Sequence, residues 1–358
     1  LTEIEQRQQA VASRLGEHKI DALLLTSPAN VRYLSGYGGS NGLILLTPSE
    51  AHFFTDPRYA IEVSGTLTCK VHVAKGPLMS AAAKTIKRKR LKKIGFESTS
   101  LRYEDHAKLK DLLPLGYSLK PLGALVEEQR MVKSTAEIDK VRKSVQVNSE
   151  AYACTLRRVR RGAREQDIAA ELEYQMRILG AEKPAFETIV AAGARSALPH
   201  ARPTGHRLEE NELLLIDMGA FLDGYASDMT RVACFGSPSK RTRDMYRAVI
   251  EAQTAALDAV RPGVTANAVD GAARKVLKAH NLGREFVHST GHGLGLEIHE
   301  LPKVGRKDKT RLQAGMTITI EPGAYVEGFG GIRIEDTVLV TENGCEVLTP
   351  TSKEFVRL

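Results

Sequence analysis

Apolar residues recur along this chain with two different periods, and the change from one to the other divides it. In the first third, "DALLL", "GLILLTP", "AHFFTD", "TCKVHVAK" and "KKIGFES" are short apolar or alternating runs bounded by turn residues, the pattern of strands. An opening stretch, "LTEIEQRQQAVASRLGEHKI", is charged with a helical spacing of apolar positions, and "TSPANVRYLSGY" after the first strand reads as a loop. Strands alternating with helices predict a small α/β domain on a mixed or mainly parallel sheet.

Near residue 125 the pattern changes. Ser134 precedes Glu137 by three positions, a capping box, and Ile138, Val141, Val145 and Tyr152 then follow at helical spacing. Further helices are predicted in "EQDIAAELEYQMRILG", "TRDMYRAVIEAQTAALDAV" and "TANAVDGAARKVLKAH". Between them "ELLLIDMGA", "YASDMTRVACF", "MTITIEPGAYV" and "GIRIEDTVLVT" read as strands joined by hairpins. The expectation is an α/β domain over 1–124 and a larger α+β domain on an antiparallel sheet over 125–358.

Composition narrows the classes. The chain has 358 residues, 42% hydrophobic and 26% charged, with no apolar run near the length of a membrane span. No signal-peptide core opens it, although it begins at Leu1 rather than Met, which leaves the natural N-terminus open. Cys69, Cys154, Cys234 and Cys345 show no paired spacing, and no N-glycosylation sequon occurs, so a reducing, cytoplasmic location is expected. The net charge of +8 gathers partly in "KTIKRKRLKK", residues 84–93. With Ile86 and Leu91 as its apolar positions and no interleaved aromatics, that run reads as a solvated helix face, and no nucleic-acid partner is expected.

The chemistry lies in the second domain. Asp217 ends the run "LLLID", and Asp228 follows eleven positions later, with Asp223-Gly224 between them as a hairpin turn. That turn sets the two aspartates opposite or two positions apart on one sheet face, where like charges repel. Either one is protonated, or a cation lies between them, or the face is simply exposed. "MTITIEPG" ends on Glu321 and "GIRIEDTVLV" carries Glu335, with Ile332, Ile334, Asp336 and Val338 on one side and Arg333, Glu335 and Thr337 on the other. "VHSTGHGLGLEIHE" adds His288, His292 and His299 among glycines that allow close backbone approach. A lone histidine is usually a core or surface residue; three in one short stretch mark a site. Four carboxylates and an imidazole are too anionic for one structural zinc and suit two divalent ions, manganese first and cobalt or zinc after it.

At these residues the chain resembles the pita-bread metallopeptidases, and within them the Xaa-Pro branch of aminopeptidase P and prolidase. "PHARPT", "TGHGLGLEIHE", "ITIEPGAY" and "GIRIEDTVLVTENGCEVLT" carry the resemblance across the second domain, and "NVRYLSGYGGSNG" and "FFTDPRY" extend it into the first. The resemblance implies a C-terminal pita-bread domain preceded by a smaller creatinase-like α/β domain. It implies Asp217, Asp228, His292, Glu321 and Glu335 as ligands of two divalent metals, and a homodimer. His200 and His299 resemble residues that contact substrate and stabilise the tetrahedral intermediate, and His288 a further histidine of the pocket. Arg333 resembles an arginine bonded near the metal-bound aspartates, and Phe186 falls where an aromatic lines the substrate pocket. Glu321 would serve as general base, then acid. Methionine aminopeptidases share the catalytic fold without such a first domain, and creatinase relatives lack the full ligand set kept here.

The expected activity is therefore removal of an N-terminal residue preceding proline, of the aminopeptidase P type, to which "RYLSGYGGSNG" inclines the choice. The alternative is prolidase, restricted to Xaa-Pro dipeptides, the difference being whether a loop blocks the space beyond proline. A catalytically dead peptide-binding module on the same fold is a remoter alternative. "GGSNG" also fits the G-x-S-x-G serine elbow, but that elbow needs a strand before it and a helix after it, and "LILL" follows here.

Overall fold

The computed structural model describes residues 1–358, which form two compact units, Leu1–Arg130 and Met131–Leu358. No helix is long and apolar enough to cross a membrane.

The first unit contains α1 (Glu3–Ser13), β1 (Ala22–Leu25), α2 (Pro28–Ser35), β2 (Leu43–Leu46), β3 (Ala51–Thr55), α3 (Ala60–Val63), β4 (Lys70–Val73), α4 (Leu78–Arg88), β5 (Lys93–Glu97), α5 (Tyr103–Leu112), β6 (Ser118–Leu122) and α6 (Leu125–Arg130). The strands form one sheet in the order β4-β3-β2-β1-β5-β6. It is mixed as expected: β1–β5, β5–β6 and β3–β4 are parallel, β1–β2 and β2–β3 antiparallel. The unbroken apolar runs of β1 and β2 are explained by burial of every residue in them, as in strands covered on both faces. The basic run behaves as expected: Ile86 is buried while Lys84, Lys87 and Arg88 face water. The helix ends at Arg88, however, and Lys93 already belongs to β5.

One expectation needs revision here. "TSPANVRYLSGY" is not a loop but contains α2, with Ser27 as N-cap, Pro28 in its first turn and a left-handed Gly36 at its end. Its start is held by a distant residue, since the buried Glu97 carboxylate accepts from the Thr26 and Ser27 amides at 2.6 and 2.8 Å and from Asn30 Nδ2 at 2.6 Å. The "GGSNG" segment joins helix α2 to strand β2, the reverse of the order a serine elbow needs, and Ser40 Oγ lies 2.6 Å from the Tyr59 hydroxyl. The two compact units divide at 130/131, and α6 packs on α1 and α2 within the first.

The second unit begins with α7 (Thr135–Leu156), whose Ser134–Glu137 capping box forms as the sequence predicts. There follow α8 (Glu165–Ile178), β7 (Lys183–Pro184), β8 (Ile189–Ala192), β9 (Leu213–Met218), β10 (Ala220–Leu222), β11 (Tyr225–Ala226), β12 (Met229–Cys234), α9 (Lys240–Ala259) and α10 (Ala266–Ala279). The chain continues through β13 (Gly291–Gly293), β14 (Glu300–Val304), β15 (Thr317–Ile320), β16 (Gly323–Val326), β17 (Gly330–Arg333), β18 (Asp336–Val340), β19 (Cys345–Val347) and β20 (Val356–Arg357). The two larger sheets run β20-β12-β9-β8 and β14-β13-β15-β18-β19, and only the β12–β20 pair is parallel. Residues of α7 and α8 share one core with Leu214 and Ile216 of β9. Residues of α9 and α10 share another with Ile318, Ile320 and Val338. Helix pairs thus cover antiparallel sheets, the α+β arrangement of the pita-bread fold.

The runs read as single strands are interrupted. "MTITIEPGAYV" divides into β15 and β16 at Glu321-Pro322, and "GIRIEDTVLVT" into β17 and β18 at Ile334-Glu335. Asp228 likewise lies in the gap between β11 and β12. Pro322 has no N–H to give a ladder. Three of the four acids therefore sit where strand pairing lapses and the chain can turn a side chain inward.

Candidate metal centre

The aspartate hairpin forms as its turn residues require. Leu222 pairs with Tyr225 across Asp223-Gly224, both at positive φ, +50° and +83°, as a type I′ turn demands. The register continues into β9 and β12, where Asp217 faces Thr230. Asp217 and Asp228 thus lie two positions apart on one face. Asp228 is 5% exposed, Asp217 9% and Glu335 1%.

His292 reaches the same place from β13. Its Nε2 lies 3.5 Å from Asp228 Oδ2 and 3.4 Å from Glu321 Oε1. Its Nδ1 is 3.0 Å from the Gly293 carbonyl. A carbonyl only accepts, so Nδ1 carries the proton and the Nε2 lone pair is left among the acids, free for a cation. The glycines make this approach possible: a side chain at Gly291 would put its Cβ 1.8 Å from the Thr319 carbonyl oxygen. The segment is anchored from α10, where Asp270 Oδ1 accepts from Thr290 N at 3.1 Å and from its hydroxyl at 2.9 Å.

Asp228, His292 and Glu335 present ligand atoms all within 4.8 Å of one another, with Asp217 and Glu321 beside them. The electrostatics of this cluster favour a cation. Desolvation raises the pKa values of Asp228 and Glu335 well above the usual carboxylate range, and repulsion from the neighbouring acids raises them further. Asp217 is also raised by burial, with Arg333 working in the opposite direction. Asp217 Oδ1, Asp228 Oδ1 and Glu335 Oε1 are buried with no hydrogen-bond partner. Orphaned carboxylate oxygens in a dry site are costly alone and are what a hard divalent cation takes up, so the donor set fits such ions.

The outer contacts hold the acids in place. Arg333 Nη2 donates to Asp217 Oδ2 at 2.5 Å, its Nε to Thr230 Oγ1 at 3.0 Å and its Nη1 to the Tyr325 hydroxyl at 2.5 Å. Thr230 passes its own proton to Glu335 Oε2 at 2.7 Å, so one hydroxyl joins the arginine to the glutamate. Behind Glu335, Asp336 points into the core and pairs with Arg231 at 2.7 Å. Arg333, Glu335 and Thr337 do share one side, as alternation predicts: Thr337 donates to the Asp228 carbonyl at 2.9 Å.

The remaining histidines gather around this centre. His288 Nδ1 lies 2.8 Å from the Ser289 carbonyl, so its Nε2, 2.8 Å from the Tyr325 hydroxyl, is the acceptor. Burial lowers the His288 pKa, which keeps that neutral tautomer. His299 stands edge-on to His292 with ring centroids 4.4 Å apart, and partial burial followed by His292 lowers its pKa. His200 lies close enough to His288 and His299 to bear on both electrostatically, and the Pro199 carbonyl beside it lies 3.3 Å from Arg333 Nη1. Phe186, half-buried, lies against Gly219, two residues beyond Asp217.

Tyr325 and Thr230 were not singled out by sequence reasoning. Their signal was present in the alternation: Thr230 stands two positions after Asp228, and Tyr325 closes the "ITIEPGAY" motif.

Known proteins resemble this chain over nearly its whole length. The profile of metallopeptidase family M24 matches residues 139–342, and that of the creatinase/prolidase N-terminal domain residues 7–132. An Xaa-Pro dipeptidase of Pyrococcus furiosus is 38% identical over 99% of this chain and 100% of its own length. The solved structure of an Xaa-Pro dipeptidase from Bacillus anthracis is similar at 35% identity and a TM-score of 0.96, covering 99% of this chain and 100% of that one. An X-Pro aminopeptidase from Thermotoga maritima is similar at 34% identity and a TM-score of 0.89, covering 95% and 98%.

Proposed function

The chain belongs to metallopeptidase family M24, and from that premise we propose that it is an Xaa-Pro dipeptidase, cleaving the bond between a first residue and a C-terminal proline. The observation that carries this reading is the end-to-end likeness to a dipeptidase at 38% identity. "RYLSGYGGSNG" on its own favours the aminopeptidase, but a loop match covers a dozen positions, whereas the dipeptidase likeness extends over both units. The aminopeptidase is the second reading, supported by the Thermotoga maritima structure.

Asp217, Asp228, His292, Glu321 and Glu335 would hold two divalent cations, with manganese favoured by the oxygen-rich set. Such ions, when bound, acidify water and polarise the scissile carbonyl. The chain's own groups supply the rest. Glu321 takes a proton from the attacking water and returns it to the proline nitrogen. That nitrogen is a tertiary amide without an N–H, so it is recognised by shape and apolar contact, which Phe186, beside Gly219, would supply. His299 and His200 donate to the developing oxyanion. His288, kept neutral, is held in place through the Tyr325 hydroxyl.

The test is a comparison of Ala-Pro with Ala-Pro-Ala as substrates for the Mn²⁺-loaded protein. Hydrolysis of the dipeptide alone is the expected result. Equal or faster release of alanine from the tripeptide would establish the aminopeptidase, and loss of neither peptide would leave a binding module.

A further inference from the structure

His299 has no hydrogen bond of its own to any protein group; its one close ring neighbour is His292. Its position is therefore set by the loop that carries it, residues 294–299 between Gly293 and Glu300, which pair across a bulged hairpin. What holds this loop is unusual. Glu300 Oε2 lies 3.0 Å from Lys133 Nζ, with the two side chains only 5% and 1% exposed. Glu300 Oε1 accepts from the Glu297 amide at 3.1 Å, so the carboxylate spans the loop from the residue after His299 back to Glu297.

Lys133 is itself fixed on both sides. Its amide donates to the Gly315 carbonyl at 2.9 Å, and Val132 bridges Met316, at the foot of β15, the strand that leads into Glu321. One residue later Ser134 caps α7, and Glu137 in its first turn accepts from the Tyr225 hydroxyl at 2.8 Å. Ala226, next to Tyr225, donates to the Gly295 carbonyl at 2.7 Å. Residues 133–137 thus tie together the hairpin of Asp217 and Asp228, the strand of Glu321 and the loop of His299.

We infer that the buried Lys133–Glu300 pair is a positioning device for His299, clamping the 294–299 loop so that the imidazole faces the reacting carbonyl. A buried ion pair is a poor source of stability, because desolvation offsets most of its attraction, and apolar or neutral replacements are often tolerated. Its value here is geometric: a lysine and a glutamate 167 positions apart permit one loop conformation. The inference rests on the proposed reading of His299 as a substrate-facing group.

The experiment compares wild type, K133M/E300Q, H299A and the triple variant K133M/E300Q/H299A on Ala-Pro, with melting temperature and amide exchange measured on the metal-free proteins. K133M/E300Q removes both charges together and retains an acceptor for the Glu297 amide, so it should melt close to wild type. Its kcat should fall about 10- to 100-fold with KM nearly unchanged, as for other supports of site residues. The triple variant should match H299A within about twofold, because two changes acting through one group do not add. Amides of 294–300 should exchange at least about tenfold faster in K133M/E300Q, with the rest of the unit unaltered. Unchanged kcat in K133M/E300Q, or losses that multiply in the triple variant, would overturn the inference. If H299A itself retains wild-type turnover, the reading of His299 fails, and the clamp then stands or falls on the exchange rates alone.

Discussion

Arg333 donates to Asp217 across 2.5 Å, and no lysine or arginine pairs with the carboxylates of the three other acids of the centre. One guanidinium among four carboxylates cannot balance them, so the polypeptide leaves a charge deficit at one point in its interior. Arg333 also bonds Thr230, Tyr325 and the Pro199 carbonyl, a set of contacts that a planar fork can reach and an ammonium cannot.

Replacing Arg333 with methionine should destabilise the metal-free protein by about 3 kcal/mol at pH 8, since Asp217 is left buried and unpaired. The loss should be smaller at pH 6, because burial raises the Asp217 pKa and a proton, bound more readily as pH falls, relieves the unpaired charge. Urea denaturation of both proteins in chelator at the two pH values measures this. An equal loss at both would mean that packing, not charge, is what Arg333 contributes.

The raised pKa values of Asp228 and Glu335 fix the sign of a pH dependence. Both groups bind protons more tightly folded than unfolded. Their contribution is fully present below the unfolded carboxylate range and is lost as pH rises through the folded values. In EDTA, stability should therefore fall as pH rises above the ordinary carboxylate range, more steeply in wild type than in Asp228→Asn. Adding Mn²⁺ should reverse the trend in wild type and raise its melting temperature with metal concentration. Greatest stability of the chelated wild type at the alkaline end would contradict this account of the cluster.

Thr230→Val keeps the shape of the side chain but removes the hydroxyl that accepts from Arg333 and donates to Glu335. Metal affinity should drop about 10- to 100-fold with the fold intact. Calorimetric titration with Mn²⁺ reads the affinity and circular dichroism the fold; an unaltered dissociation constant would show that the Thr230 link is incidental.

In the first unit, burial pushes the Cys69 thiol up to about 11, and burial also raises Cys234 in the second. Thiolate is the reactive form. A pulse of iodoacetamide at pH 8 followed by mass spectrometry should modify Cys154, which is partly exposed, and spare Cys69 and Cys234 until denaturant is added. Labelling of Cys69 at the rate of Cys154 would show that the first unit opens readily.

The sequence by itself determined what depends on neighbours along the chain. Asp223-Gly224 dictates a tight turn, so Asp217 and Asp228 had to share a face, and alternation placed Arg333 beside Glu335. Ser134 and Glu137 likewise announce the start of α7 from four consecutive residues. Tertiary structure alone decided the rest. Helix α2 is short, and the carboxylate at its start comes from Glu97, far along the chain, which is why local pattern read a loop. The breaks at Glu321-Pro322 and Ile334-Glu335, and the path from Arg333 through Tyr325 to His288, also lie beyond periodicity. A repeat of two or of 3.6 states which side of an element a residue occupies, but not which distant group will be pressed against it. That partner is chosen only when strands and helices pack, and the cost of a buried, unpaired charge then selects among the possible contacts.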